Sequence, residues 1–144
     1  MVSEIGTSAR RQRSEAGTSI IEAAIAMPVM LLVLFGIAEF GVQFTRWNSL
    51  TNAVREGART GVVFRSPCVA GTVTALIEAT VADFAESSGI DTASIDTTVT
   101  GACAGTGTQL TVTATVPYDS IALAALANLA PTTNLTARTV MRNE

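Results

Sequence analysis

The sequence predicts an α+β protein: a long N-terminal membrane-spanning helix continuing into a small domain with a second helix and a three-stranded antiparallel sheet. Three observations carry this. An almost wholly apolar run from Ile20 to Phe44 is long enough to cross a bilayer. Behind it, apolar residues recur at three- and four-residue steps, first to Gly61 and again from Val73 to Phe84. Beyond Ile95 the period drops to two, the spacing of a half-buried strand. Of 144 residues, about 80 to 100 remain for a soluble part, which suits one small domain. The expected division is a leader over 1–17, a transmembrane and extended amphipathic helix over 18–61, and a head domain over 62–144.

The leader is polar, carries Arg10, Arg11 and Arg13, and shows no periodicity, so disorder is expected through Ala16. From Ala23 to Ala38 there is no charge, and Glu39 is the only ionisable residue before Arg46. A cleavable secretory signal has an apolar core of about 7 to 15 residues ending in an A-x-A-like site. This run is longer, and its far end, Glu39 to Phe44, offers no such site, so a retained helix is favoured. Pro28 removes one backbone bond and tends to kink a helix, which membranes tolerate when neighbours compensate. Trp47, Leu50, Val54, Ala58 and Gly61 extend one apolar face past the membrane. Trp47 and Arg46 suit the interfacial belt, where an amphipathic ring and a snorkelling cation are favoured. A helix from Thr18 to Gly61 measures about 65 Å.

Ser66-Pro67 breaks this pattern. Val73, Leu76, Ile77, Thr80, Val81 and Phe84 then predict a second helix, with a start signal at Gly71-Thr72 and a stop at Ser87-Ser88-Gly89. Ile95, Thr97 and Val99 predict one strand; Leu110, Val112, Ala114 and Val116 predict another, ended by Pro117, with a hairpin loop over 101–107 between them. Ile121 to Leu129 reads as a short helix or apolar loop closed by Pro131, and Leu135 to Met141 as a third strand. Such a sheet with one face on an amphipathic helix is a minimal core.

Composition narrows the function. Mean hydropathy is +0.41 and only 15% of residues are charged, as expected of one membrane helix plus a neutral domain. The net charge of −3 gives no reason to expect nucleic acid as a partner. There is no His, which removes the commonest general base and metal ligand. No nucleophile–base pair is visible, and the glycines at 101, 105 and 107 precede a strand rather than a phosphate-binding helix. An enzyme, a cofactor or a metal is therefore not expected. Cys68 and Cys103 have no C-x-x-C spacing. A disulfide in an oxidising compartment is the preferred reading, and two buried thiols the other.

Gly17-Thr18-Ser19-Ile20-Ile21-Glu22 places a small-residue break after a basic leader and a carboxylate at the fifth position beyond it. A carboxylate at the mouth of a membrane segment is costly and usually has a task. This arrangement resembles type IV pilin-like proteins. More narrowly, GTSIIEAAIAMPVMLLVLFGIAEFG, then LTNAVREGARTGVV, and finally LTARTVMRNE are similar to the TadE-like family, minor pseudopilins of tight-adherence (Flp) pili. Thr18, where a typical type IV pilin begins its mature chain with Phe, favours the Tad branch. The resemblance implies cleavage by a prepilin peptidase between Gly17 and Thr18. It implies that Glu22 meets the free α-amine of a neighbouring subunit; solvation at headgroup level is the alternative. Its implied partners are that peptidase, other pilin and pseudopilin subunits with their assembly machinery, and membrane lipid. Its implied location is the bacterial inner membrane, single-pass, with the N-terminus cytoplasmic and the C-terminal domain outside, or the pilus itself.

Arginines flank both ends of the span, Arg10, Arg11 and Arg13 against Arg46, Arg55 and Arg59, so charge alone leaves orientation open. The cysteines and the resemblance favour the head domain outside. Glu39 lies about 25 Å along the helix from Glu22. It is either solvated at the outer interface or paired with an Arg of a partner subunit. Arg55, Glu56 and Arg59 read as a solvated helix face or as a contact with the head domain or a partner. The competing function is a membrane-anchored envelope binding module that never polymerises.

Overall fold

The computed structural model describes residues 5–63, 65–120 and 133–144, with the backbone alone for 5–16. Helix α1 spans Ile5–Gly61 and α2 spans Ala70–Ser87; a 3₁₀ turn, Thr92–Ser94, leads into strands β1 (Asp96–Thr100), β2 (Gln109–Tyr118) and β3 (Thr133–Arg142). The α+β class predicted from the two periodicities is the one observed. The segment from Ile121 to Pro131, expected as a short helix or apolar loop, lies outside the described residues. The chain divides into two compact units, Met1–Ala38 and Glu39–Glu144.

In the first unit, helix α1 begins at Ile5 and not near Thr18, which corrects the disorder expected for the leader. Residues 5–16 are mostly Arg, Gln, Glu, Ala and Ser. Such residues cost little in a helix once a nucleus exists, and the apolar segment supplies one. Helicity passes through Pro28 without interruption. Ile25, Leu32, Phe35 and Ile37 are all exposed, as is every residue from Gly17 to Ile37. A helix this long and apolar meets the requirement for crossing a bilayer.

The second unit is a two-layer domain. Its core takes Leu50, Ala53, Val54 and Ala58 from α1, Val73, Ile77, Val81 and Ala85 from α2, Leu110, Val112, Ala114 and Val116 from β2, and Ala137 from β3. The α1 stripe therefore begins at Leu50. Trp47, expected on that face, is 42% exposed and lies outside the core. In α2 the buried column runs at every fourth residue, and Leu76 and Phe84, expected inside, are 40% and 41% exposed. The reason is the closeness of the two helices. A Cβ at Gly57 would lie 2.5 Å from Val81 Cγ2, and one at Gly61 would lie 2.5 Å from Ile77 Cδ1 and 2.8 Å from Leu110 Cδ2. Bare backbone at these positions brings α1 against a narrow column of α2 and leaves no room for a wider apolar face.

Helix α2 starts at Ala70, one residue before the Gly71-Thr72 signal: Val69 is its N-cap and makes no side-chain cap bond. Its stop is as expected, with Ser88 as C-cap and Gly89 at φ 76°. The sheet is antiparallel in the order β1-β2-β3. Val99 pairs with Val112, Ala114 with Ala137 and Leu110 with Met141, so the inward sets are aligned across the sheet. Pro117 does not end β2, which runs on to Tyr118. Pairing with β1 stops at Thr115, so Pro117 has one edge outside the ladder, where a missing N–H is tolerated.

Candidate functional site

The chemistry-bearing residues fall into two separate sets, one in each unit. In the first, Gly17, Thr18 and Glu22 follow one another on an exposed helical surface. A Cβ at Gly17 would meet nothing within 4 Å, so this break is open on all sides. Glu22 is exposed and begins a stretch with no other charge through Ala38. Thr18 and Ser19 make interactions of their own and are not free groups.

In the second unit, Tyr118 is the centre of a polar joint. Strand alternation carries Val112, Ala114, Val116 and Tyr118 inward, and Tyr118 is 2% exposed. Its hydroxyl donates to Glu39 Oε1 at 2.5 Å, and the Arg46 guanidinium lies 5.3 Å from the ring centroid. Glu39 and Arg46 stand two helical turns apart, so they share one face of α1 and hold the ring from its hydroxyl end and its π-face. A carboxylate acceptor makes this a charge-assisted bond. Burial above all, then the bond to Glu39 and its negative charge, pushes the Tyr118 hydroxyl up to about 12, against a small opposing pull from Arg46.

Glu39 is thus bonded within its own chain, whereas the sequence suggested solvation or a subunit contact. Arg46, expected to snorkel, covers a tyrosine ring instead. Trp47 stays on the outside with Phe44, ring centroids 6.2 Å apart, and Phe44 repeats that spacing with Phe40. Nothing in the local sequence pointed to Tyr118 as a partner of Glu39; the usable signal was its inward register at the end of β2.

Further along α1, Arg55 and Arg59 are exposed and Glu56 is half-buried. They lie on the side away from Leu50, Val54 and Ala58 and do not join the Tyr118 joint. Cys68 and Cys103 form a disulfide with Cα atoms 5.8 Å apart, tying the α1–α2 connection to the β1–β2 hairpin loop. Asn143, which sequence reading passed over, closes the same end. It is buried, and its Nδ2 donates to Gly101 O and Thr108 Oγ1, each at 2.8 Å. Glu144 N donates to Val62 O, so the end of β3 reaches the connection after α1.

No curated protein and no solved structure matches this chain. A model of the TadE-like protein family matches residues 17–59, a stretch that begins at the Gly17 break and ends inside the buried stripe of α1. Over that segment, the chain is similar to the TadE-like proteins.

Proposed function

We propose that the protein is a minor pilin or pseudopilin of tight-adherence (Flp) pili, processed by a prepilin peptidase and acting in assembly rather than catalysis. The observation that carries this reading is the TadE-like match, which opens at Gly17, where the part of α1 apolar enough to cross a membrane begins. In it, cleavage after Gly17 frees the α-amine of Thr18, and Glu22 then offers a carboxylate one helical turn away. A charge entering the hydrocarbon centre costs about 2.5 to 3.5 kcal/mol on insertion scales, and pairing with a neighbour's amine offsets part of it. The protein sits in the bacterial inner membrane with its disulfide-bearing domain outside. Its partners are the peptidase, other pilin subunits and the assembly machinery.

The test is the N-terminus of the membrane-extracted protein. Mass spectrometry is expected to find Thr18 first; a chain starting at Met1 or Val2 would favour the anchored binding module instead. Glu22→Ala is expected to abolish incorporation into pili while membrane insertion persists, and unchanged piliation would remove the assembly role of the carboxylate.

A further inference from the structure

We propose that the side of α1 bearing Phe40, Phe44 and Trp47 contacts lipid, so that the bilayer surface lies at Trp47 and Glu39 lies below it, held by Tyr118. This rests on the reading of the chain as membrane-anchored, and not on its processing. Phe40, Phe44 and Trp47 follow one another at four- and three-residue steps and share one side of the helix. All three are exposed, with successive ring centroids 6.2 Å apart. The apolar run from Ile20 leads directly into this stripe, and no charged residue stands between Glu39 and Arg46. Past Trp47 the exposed positions of α1 turn polar, at Asn48, Asn52, Arg55 and Arg59. The change falls at a tryptophan, a residue favoured where hydrocarbon gives way to headgroups.

The dimensions agree. A bilayer with its headgroup layers is about 40 to 45 Å thick, and from Ser19, just ahead of the apolar run, to Trp47 is about 42 Å of helix. Glu39 falls about 12 Å short of Trp47. That is deeper than one headgroup layer, whose share is about 5 to 8 Å. A carboxylate at such depth persists when it is paired, and the head domain supplies the pairing. Tyr118 donates its hydroxyl to Glu39, and Arg46 covers the tyrosine ring. Asp119, next to Tyr118, is exposed, which keeps the end of β2 at headgroup level while the ring reaches down to the carboxylate. The other polar side chains of the stretch fit the same surroundings. Thr45 is exposed, and its hydroxyl donates to Gly41 O at 2.9 Å within the helix. Gln43 is half-buried on the Glu39 side, away from the aromatic stripe. Direct continuity with the apolar run, satisfied polar groups and the switch to polar residues after Trp47 together name lipid as what covers the rings.

The experiment uses the full chain reconstituted in vesicles of phosphatidylcholine and phosphatidylglycerol, with Trp47, the only tryptophan, as the reporter. Flotation first separates bound from unbound chain; a chain that stays in the aqueous fraction overturns the membrane-anchored reading itself. In the floated chain, lipid brominated at the headgroup end of its acyl chain is expected to quench Trp47 about twofold or more beyond lipid brominated at the chain end, with little quenching by aqueous iodide. Iodide quenching as strong as that of free tryptophan, without quenching by either brominated lipid, overturns the lipid contact and leaves the anchor standing. Protection from iodide and from both lipids means that a second copy covers the rings, and overturns the contact as well. Moving the reporter along α1 then locates the surface. Phe40→Trp with Trp47→Phe is expected to reverse the order of the two lipids, because position 40 lies beside Glu39 and below the surface. Asn52→Trp with Trp47→Phe is expected to be open to iodide. A reporter at position 40 no deeper than Trp47 overturns the placement of Glu39, and a reporter at position 52 shielded by lipid overturns the boundary at Trp47. Both replaced positions are exposed in the fold, and the reading from the unaltered chain needs no variant.

Discussion

Tyr118 is the only tyrosine of the chain, so its ionisation can be followed without interference from another phenol. Its hydroxyl is held protonated in the fold, at about 12 against 10.0 for the free group, first by burial and then by the bond to Glu39. A group whose folded value is raised stabilises fully below its unfolded value and loses that contribution as pH rises through the folded one. The joint is therefore expected to be at full strength below pH 10.0 and to weaken between there and about 12. Denaturant midpoints of the detergent-solubilised chain should fall over that window, with tyrosinate absorbance appearing late in the same range. Tyr118→Phe should abolish that alkaline fall. It should also cost about 1.5 to 3 kcal/mol at neutral pH, the scale of a hydrogen bond to a charged group. Tyrosinate absorbance that rises near the free value in the folded chain would contradict the joint.

At the scale of elements, Gly57 and Gly61 decide how α1 meets α2. Gly57→Ala gains helix propensity of about 1 kcal/mol. Against that, the new Cβ would press on Val81 Cγ2, which cannot swing away because Val is stiff at χ1. Overpacking costs about 1 to 3 kcal/mol, so the net expectation is a loss of about 1 kcal/mol. Gly71→Ala, in α2 with nothing near its Cβ, should be neutral or slightly stabilising, and a matching loss there would show that the crowding argument is wrong. The same two glycines explain what the sequence could and could not reveal. Helix and strand periods are local, and they find α1, α2 and all three strands, although α1, α2 and β2 run past the ends they suggest. Hydropathy assigns Trp47, Leu76 and Phe84 to apolar faces because it records their character and not how near the next helix comes. That nearness is set by the missing side chains at positions 57 and 61, whose four-residue spacing is legible once the partner helix is known. The Tyr118–Glu39 bond joins residues 79 positions apart, and no local pattern couples them.

At the scale of the whole molecule, the disulfide is the feature that links stability to compartment. The sequence left open a bond or two buried thiols; in the fold, Cys68 and Cys103 are joined across a separation of 35 residues. A cross-link over a loop of that length restricts the unfolded chain by about 3 to 4 kcal/mol in the chain-entropy model. That is a large part of what a small domain has, since domains of this size unfold with only about 5 to 15 kcal/mol. The staple joins the α1–α2 connection to the hairpin loop that Asn143 closes. Envelope-derived protein should therefore shift in gel mobility on reduction and resist thiol alkylation beforehand. Cys68→Ser with Cys103→Ser should lower the stability of the head domain by about 3 kcal/mol, with the α2 and sheet signals lost together because they share one core. The same chain confined to a reducing cytoplasm should match the double serine variant, because thiols stay reduced there. A full-strength head in the reduced state would mean that packing, and not the cross-link, holds the hairpin to α1. Two alkylatable thiols in envelope-derived protein would place the head domain on the reducing side of the membrane.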